Sequence, residues 1–167
     1  MLHKNPWWTY KHDTFEKTDG TIGDYYYGEC RGNVMIIPLL PDGRFVLIQA
    51  YRYIRNEESI EFPCGGIEEG STPEQTAQKE LLEETGYVID KLVSVGTFQG
   101  LNGVFENQCR VFLAHVSEHH QQQLESTEQI DVTFYTRSEV QALVDSGKIW
   151  DGQSLAAWAL AQRFLAS

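Results

Sequence analysis

Through the first third of the chain, aromatic, β-branched and aliphatic residues fall in short strand-like runs separated by turn signals. Segments 8–16 and 22–30 are rich in Trp, Tyr, Thr and Phe, and Thr18-Asp19-Gly20-Thr21 between them has the chemistry of a hairpin turn. A second strand–turn–strand unit spans 34–39 and 45–51, with Pro41-Asp42-Gly43-Arg44 at its tip. A glycine-containing loop over 63–71 then leads into a helix over 73–85. Segments 88–98, 108–116 and 130–135 resume the β pattern, and helices over 138–146, ended by Gly147, and 153–165 close the chain. Strands, one embedded helix, further strands and terminal helices predict an α/β layered domain.

The embedded helix has the clearest boundaries. Thr72 suits the N-cap, Pro73 occupies the tolerated first position, and Gln75 completes a capping box. Gly86 follows the last turn, where a left-handed residue is needed. At 100° per residue, Glu80, Glu83 and Glu84 share about one third of the helix circumference. Like charges at these spacings repel by a few tenths of a kcal/mol per pair. Lys79 and Lys91 are too few to neutralise them. A hard divalent cation would, because carboxylate oxygens are the ligands magnesium prefers. A solvated acidic face is the plain alternative.

Composition narrows the possibilities. The 167 residues are 41% hydrophobic and 12% aromatic, enough for one packed core and unlike a disordered chain. The net charge of −11 disfavours nucleic acid as a partner but admits a small phosphorylated substrate screened by metal ions. Cys30, Cys64 and Cys109 show no disulfide or zinc spacing, and His12, His115, His119 and His120 show no ligand spacing. The apolar run 34–40 is too short to span a bilayer, and the first six residues lack the apolar core of a secretory leader. A cytoplasmic protein with no membrane partner is expected.

The stretch from Gly65 to Tyr87 resembles the Nudix box, G-x5-E-x7-R-E-U-x-E-E-x-G-U with U aliphatic. Gly65, Glu80, Leu81, Glu83, Glu84 and Gly86 match without insertion or deletion. Ser71, Lys79 and Tyr87 depart, standing where the box has glutamate, arginine and an aliphatic residue. Gln49-Ala50-Tyr51-Arg52 and Glu61-Phe62-Pro63 are similar to flanking motifs of the ADP-ribose pyrophosphatase subgroup, as is the ending from Glu128 to Ala159.

The resemblance implies a Nudix α/β/α sandwich with a mixed sheet over 33–167, preceded by an antiparallel β extension over 1–32 that serves dimerisation and substrate. It also implies Mg²⁺-dependent cleavage of the diphosphate of ADP-ribose or a related nucleoside diphosphate sugar, with Mn²⁺ as a possible substitute. Glu80, Glu83, Glu84 and the backbone carbonyl of Cys64 are the implied metal ligands. Glu128 is the implied base, with Glu125 the fallback, and Glu83 is counted with the catalytic groups. Arg52, Trp8, Gly65 and Gly103 are the substrate-binding candidates; strand-edge charge and interface packing are the plain roles for Arg52 and Trp8. Asn102 stands where relatives that cleave ADP-ribose often have proline, which opens the substrate to other nucleotide sugars. The rival readings are a catalytically weak Nudix ligand-binding module, motivated by Ser71 and Lys79, and a nucleoside triphosphate pyrophosphohydrolase.

Overall fold

A computed structural model describes residues 1–124, 126 and 128–165. In chain order the strands and helices are β1 (His3–Lys4), β2 (Thr9–Glu16), β3 (Ile22–Glu29), β4 (Asn33–Leu39), β5 (Phe45–Arg52), β6 (Glu57–Glu61), β7 (Cys64–Gly66) and α1 (Pro73–Thr85). There follow β8 (Tyr87–Gln99), β9 (Phe105–Glu106), β10 (Gln108–His119), β11 (Ile130–Tyr135), α2 (Arg137–Asp145) and α3 (Gly152–Ala161).

These strands form two sheets. One is ordered β1-β2-β3-β9; the other is β11-β5-β4-β10-β8, with β6 on β5 and β7 on β4. Within the second sheet β4 and β10 run parallel and the other pairs antiparallel. Residues 34–37 are apolar without alternation because both faces of β4 are covered. Val34 and Ile36 meet Ala77 and Leu81 of α1, while Met35 and Ile37 meet the cluster containing Val140, Ile149, Ala157 and Trp158. Helix, sheet and helix are thus stacked as an α/β/α sandwich.

The hairpin of β4 and β5 carries the feature that positions the site. The two strands share a single register pair, Leu39↔Phe45, and then part. Beyond it β5 pairs with β6 and β4 pairs with β7. The loop expected over 63–71 therefore begins as a strand, with Met35 opposite Cys64 and Val34 opposite Gly65. Its three residues, two of them glycine, have no strand propensity; β4 imposes the pairing. The short strands β1, β6 and β9 also carry no local pattern in the sequence.

Trp158 joins the layers. Its ring stacks on Phe62 at 5.9 Å between centroids and meets Phe45 edge-on at 5.2 Å, while its indole N–H donates to Gln141 at 3.0 Å. Trp158→Ala is expected to remove roughly 3–5 kcal/mol of stability, read from the urea midpoint.

Candidate active site

α1 forms where expected, and its ends explain how its carboxylates are aimed. The Thr72 hydroxyl accepts from Gln75 N while the Gln75 side chain accepts from Thr72 N. At the other end Gly86 has a φ of +76°, and its backbone N–H closes on Leu82. A Cβ there would meet the His120 carbonyl at 2.1 Å, so glycine is required by both conformation and space.

The acidic face turns toward β7. Glu84, 5% exposed, accepts a hydrogen bond from Cys64 N at 3.0 Å. Glu80 lies against Gly65 so closely that a Cβ on the glycine would fall 2.0 Å from the glutamate's carboxyl carbon. Burial holds Glu84 well above the usual carboxylate range; the Cys64 amide opposes the shift, and Glu80 and Glu128 add to it. Burial likewise pushes Glu80 up to about 7, opposed by Lys79 and reinforced by Glu83 and Glu128. Burial and the Glu84 carboxylate push the Cys64 thiol up, which leaves its backbone carbonyl as the better metal donor.

Arg52 approaches from β5. Its Nε donates to Glu61 at 2.8 Å, and a second guanidinium nitrogen bonds the other Glu61 oxygen. Glu61 is buried, so Arg52 is a clamped cation facing Cys64 and Glu84 rather than a loose strand-edge charge. After β10, Gln123 N donates to Glu83 O at 2.9 Å and the Gln122 amide to Glu84 O at 2.5 Å. Glu128 is half-buried and acts electrostatically on Glu80 and Glu84. Glu125 lies outside the described residues.

The structure therefore brings Glu80, Glu83, Glu84, Cys64, Gly65, Arg52 and Glu128 together. Trp8 and Gly103 gather elsewhere, around Phe105. Trp8 meets the Phe105 ring edge-on at 6.3 Å, and the Gly103 carbonyl accepts from Tyr25 Oη at 2.5 Å. Beside them a cavity of about 490 Å³ lies between the loop after β8 and the start of α3, lined by Leu101, Phe105, Asn107, Cys109 and Asp151. Glu61, quoted from the sequence only within the flanking Glu61-Phe62-Pro63 motif, is a site residue that sequence reasoning missed: β6 sets it opposite Ile48, and its side chain pairs with Arg52.

Two deeply placed carboxylates facing a third and a fourth suit a divalent cation, because each gains little from water and repels its neighbours. Among the described residues no three carboxylate, thiol or imidazole groups are gathered closely enough to hold a metal ion by themselves. Magnesium commonly completes its shell with backbone oxygen and water beside one or two carboxylates. Gly65→Ala is expected to displace Glu80 while sparing the fold, since the blocked atom is the end of a flexible side chain. The predicted result is activity lowered roughly 10–100-fold, the range for disturbed metal-ligand orientation, with an unchanged thermal midpoint in EDTA.

Comparison with known proteins agrees with this geometry. The NUDIX domain model matches residues 31–158. An ADP-ribose pyrophosphatase of Bacillus subtilis (strain 168) is 29% identical over 125 residues, covering 74% of this chain and 68% of that protein. Putative nudix hydrolase 2 of Caenorhabditis elegans is 34% identical over 129 residues, 71% of this chain and 58% of its own length. A solved structure described as an ADP compounds hydrolase superposes with a TM-score of 0.84 at 18% identity, covering 99% of this chain and 90% of that one, which establishes the shared fold. With the box helix, its glycine loop and the surrounding sandwich all in place, the chain belongs to the Nudix family.

Proposed function

We propose that the chain is a hydrolase that cleaves the diphosphate of ADP-ribose or a related nucleoside diphosphate sugar, giving AMP or another nucleoside monophosphate and a sugar phosphate. The observation that carries this is the burial of Glu80 and Glu84 against Cys64 and Gly65, an arrangement with little use except to hold a divalent cation beside an anionic ligand. The similarity to an ADP-ribose pyrophosphatase supports the substrate class.

Mg²⁺ is the proposed ion, with Mn²⁺ as a substitute, held by Glu80, Glu83, Glu84 and the Cys64 carbonyl. Bound there, the ion supplies charge neutralisation for the diphosphate and acidifies water. Glu128 receives the proton of the attacking water, a task for a carboxylate beside the metal ligands. Arg52, kept in orientation by Glu61, faces the phosphate oxygens with its positive charge. Gly65 lets the substrate and Glu80 approach the loop closely. The cavity beside Asp151, between the loop after β8 and the start of α3, receives the sugar or base in this reading.

We place the active form as a homodimer in the cytoplasm, with no nucleic-acid or membrane partner. Residues 1–32 supply the contact surface, where Trp7, Phe15, Ile22 and Tyr26 are exposed. Trp8 and Gly103 then serve the substrate from that side. The three free cysteines suit a reducing compartment, and no helix among the described residues is long and apolar enough to cross a membrane.

The test is a panel of ADP-ribose, ADP-sugars, UDP- and GDP-sugars and NADH with Mg²⁺, products read by mass. AMP release from the ADP compounds is expected; binding without turnover of any member would overturn the enzyme reading. Glu84→Gln is expected to lower turnover by about 100-fold or more, beyond residues that merely orient a ligand, while the fold persists. Near-normal activity in that variant would remove Glu84 from the metal site.

The raised carboxylates also set a pH dependence. Glu80 binds its proton more tightly folded, at about 7, than at its ordinary value of 4.5. Its contribution to stability is therefore full below 4.5 and lost as pH rises through about 7. In EDTA the thermal midpoint is expected to fall across this window, and millimolar Mg²⁺ to restore it at the upper end. A flat midpoint in EDTA would contradict the burial of these groups.

A further inference from the structure

Ser71 and Lys79 stand at the two box positions that otherwise hold a glutamate and an arginine. The structure shows a different fastening in their place. Lys79 Nζ lies 2.7 Å from Glu68 Oε1 and 3.8 Å from Glu83 Oε2, so the direct hydrogen bond goes to Glu68. Glu68 sits on the loop between β7 and α1, three residues ahead of Ser71, whose N–H donates to the Glu68 carbonyl at 3.2 Å. That loop is held further by Ile67 N to Gly32 O at 3.0 Å and by Arg31 to Glu69 at 2.6 Å.

We infer that Glu68 is a positioning residue for the metal-binding carboxylates, drawing the Lys79 ammonium away from Glu83 and fastening the glycine loop to α1. This rests on the divalent-metal reading of the site.

Lys79 and Glu83 are four apart on α1, the spacing at which opposite charges pair directly. Among the described residues Glu68 and Glu83 are the carboxylates within ion-pair distance of the ammonium, so without Glu68 it is left to Glu83. An ammonium seated on Glu83 would occupy oxygens that a cation needs, and its charge would repel that cation. Paired with Glu68, Lys79 is partly neutralised: its charge still acts on Glu80, but the oxygens of Glu83 are left to the metal. The same pair joins the loop bearing Gly65 to the helix bearing Glu80, two residues already in close contact. Both partners are substantially exposed, so the effect is moderate and sensitive to salt.

The test is Mn²⁺ affinity of the full chain by calorimetry, at low and high ionic strength, with thermal midpoints in EDTA to confirm folding. Glu68→Gln is expected to weaken binding about 3- to 10-fold at low salt, below the usual range for groups that support metal ligands because the pair is exposed. Glu69→Gln makes the same charge change next door and is expected to leave affinity unchanged. Adding Lys79→Gln to Glu68→Gln removes the competing ammonium and is expected to recover most of the loss. Equal effects of Glu68→Gln and Glu69→Gln, or a loss that persists in the double variant with Lys79→Gln, would overturn the role of Glu68 alone. Failure of the unaltered protein to bind Mn²⁺ would overturn the metal reading, and this inference with it.

Discussion

Everything at the proposed site depends on the burial of two carboxylates against a three-residue strand. Glu84 reaches the Cys64 amide from a buried position, and Glu80, partly buried, packs on the bare Cα of Gly65, with no salt bridge to either among the described residues. A single hydrogen bond to one of them does not offset that desolvation, as their raised proton affinities show. The fold tolerates the cost because the rest of α1 is well secured. It is capped at Thr72, closed at Gly86, and seated on Val34, Ile36 and Phe112 through Ala77 and Leu81.

The sheet makes that arrangement possible. Were β4 and β5 paired along their length, no edge would be left for Cys64–Gly66 to join. They meet only at Leu39↔Phe45, and β7 lies on the exposed flank of β4. On the other strand of the fork, β6 brings Glu61 opposite Ile48 and within reach of Arg52. One divergence thus supplies a backbone donor for Glu84, an unobstructed approach for Glu80 and a fixed guanidinium. The opposite layer, centred on Trp158, contributes rigidity, and through Ser154 it also accepts the Phe62 N–H at 3.0 Å just before the site strand.

The N-terminal residues follow a separate logic. β1 to β3 pair among themselves and receive β9 from the loop after β8, so Gly28 N donates to Val104 O and Phe105 lies beneath Gly28. This sheet leaves Trp7, Tyr25 and Tyr26 facing outward, and it draws the loop bearing Asn102 and Gly103 away from the α1 carboxylates.

The sequence by itself determined the elements whose causes are local. The capping residues of α1, the aromatic- and Thr-rich runs at 8–16 and 22–30, the Asp-Gly turn at Asp42-Gly43 and the spacing of Glu80, Glu83 and Glu84 each follow from neighbours within a few positions. That spacing, with the glycine before it, carries the resemblance to the Nudix box, and it was the resemblance that implied metal-assisted diphosphate chemistry. Only the tertiary structure decided that Cys64–Gly66 would be a strand, that Glu61 would clamp Arg52, and that Lys79 would lean to Glu68 rather than Glu83. It also separated Trp8 and Gly103 from the carboxylates in this chain. Those outcomes rest on contacts between residues distant in sequence or on competition among nearby charges, and both are settled by how strands are apportioned and which groups lose their water, quantities that no local pattern encodes.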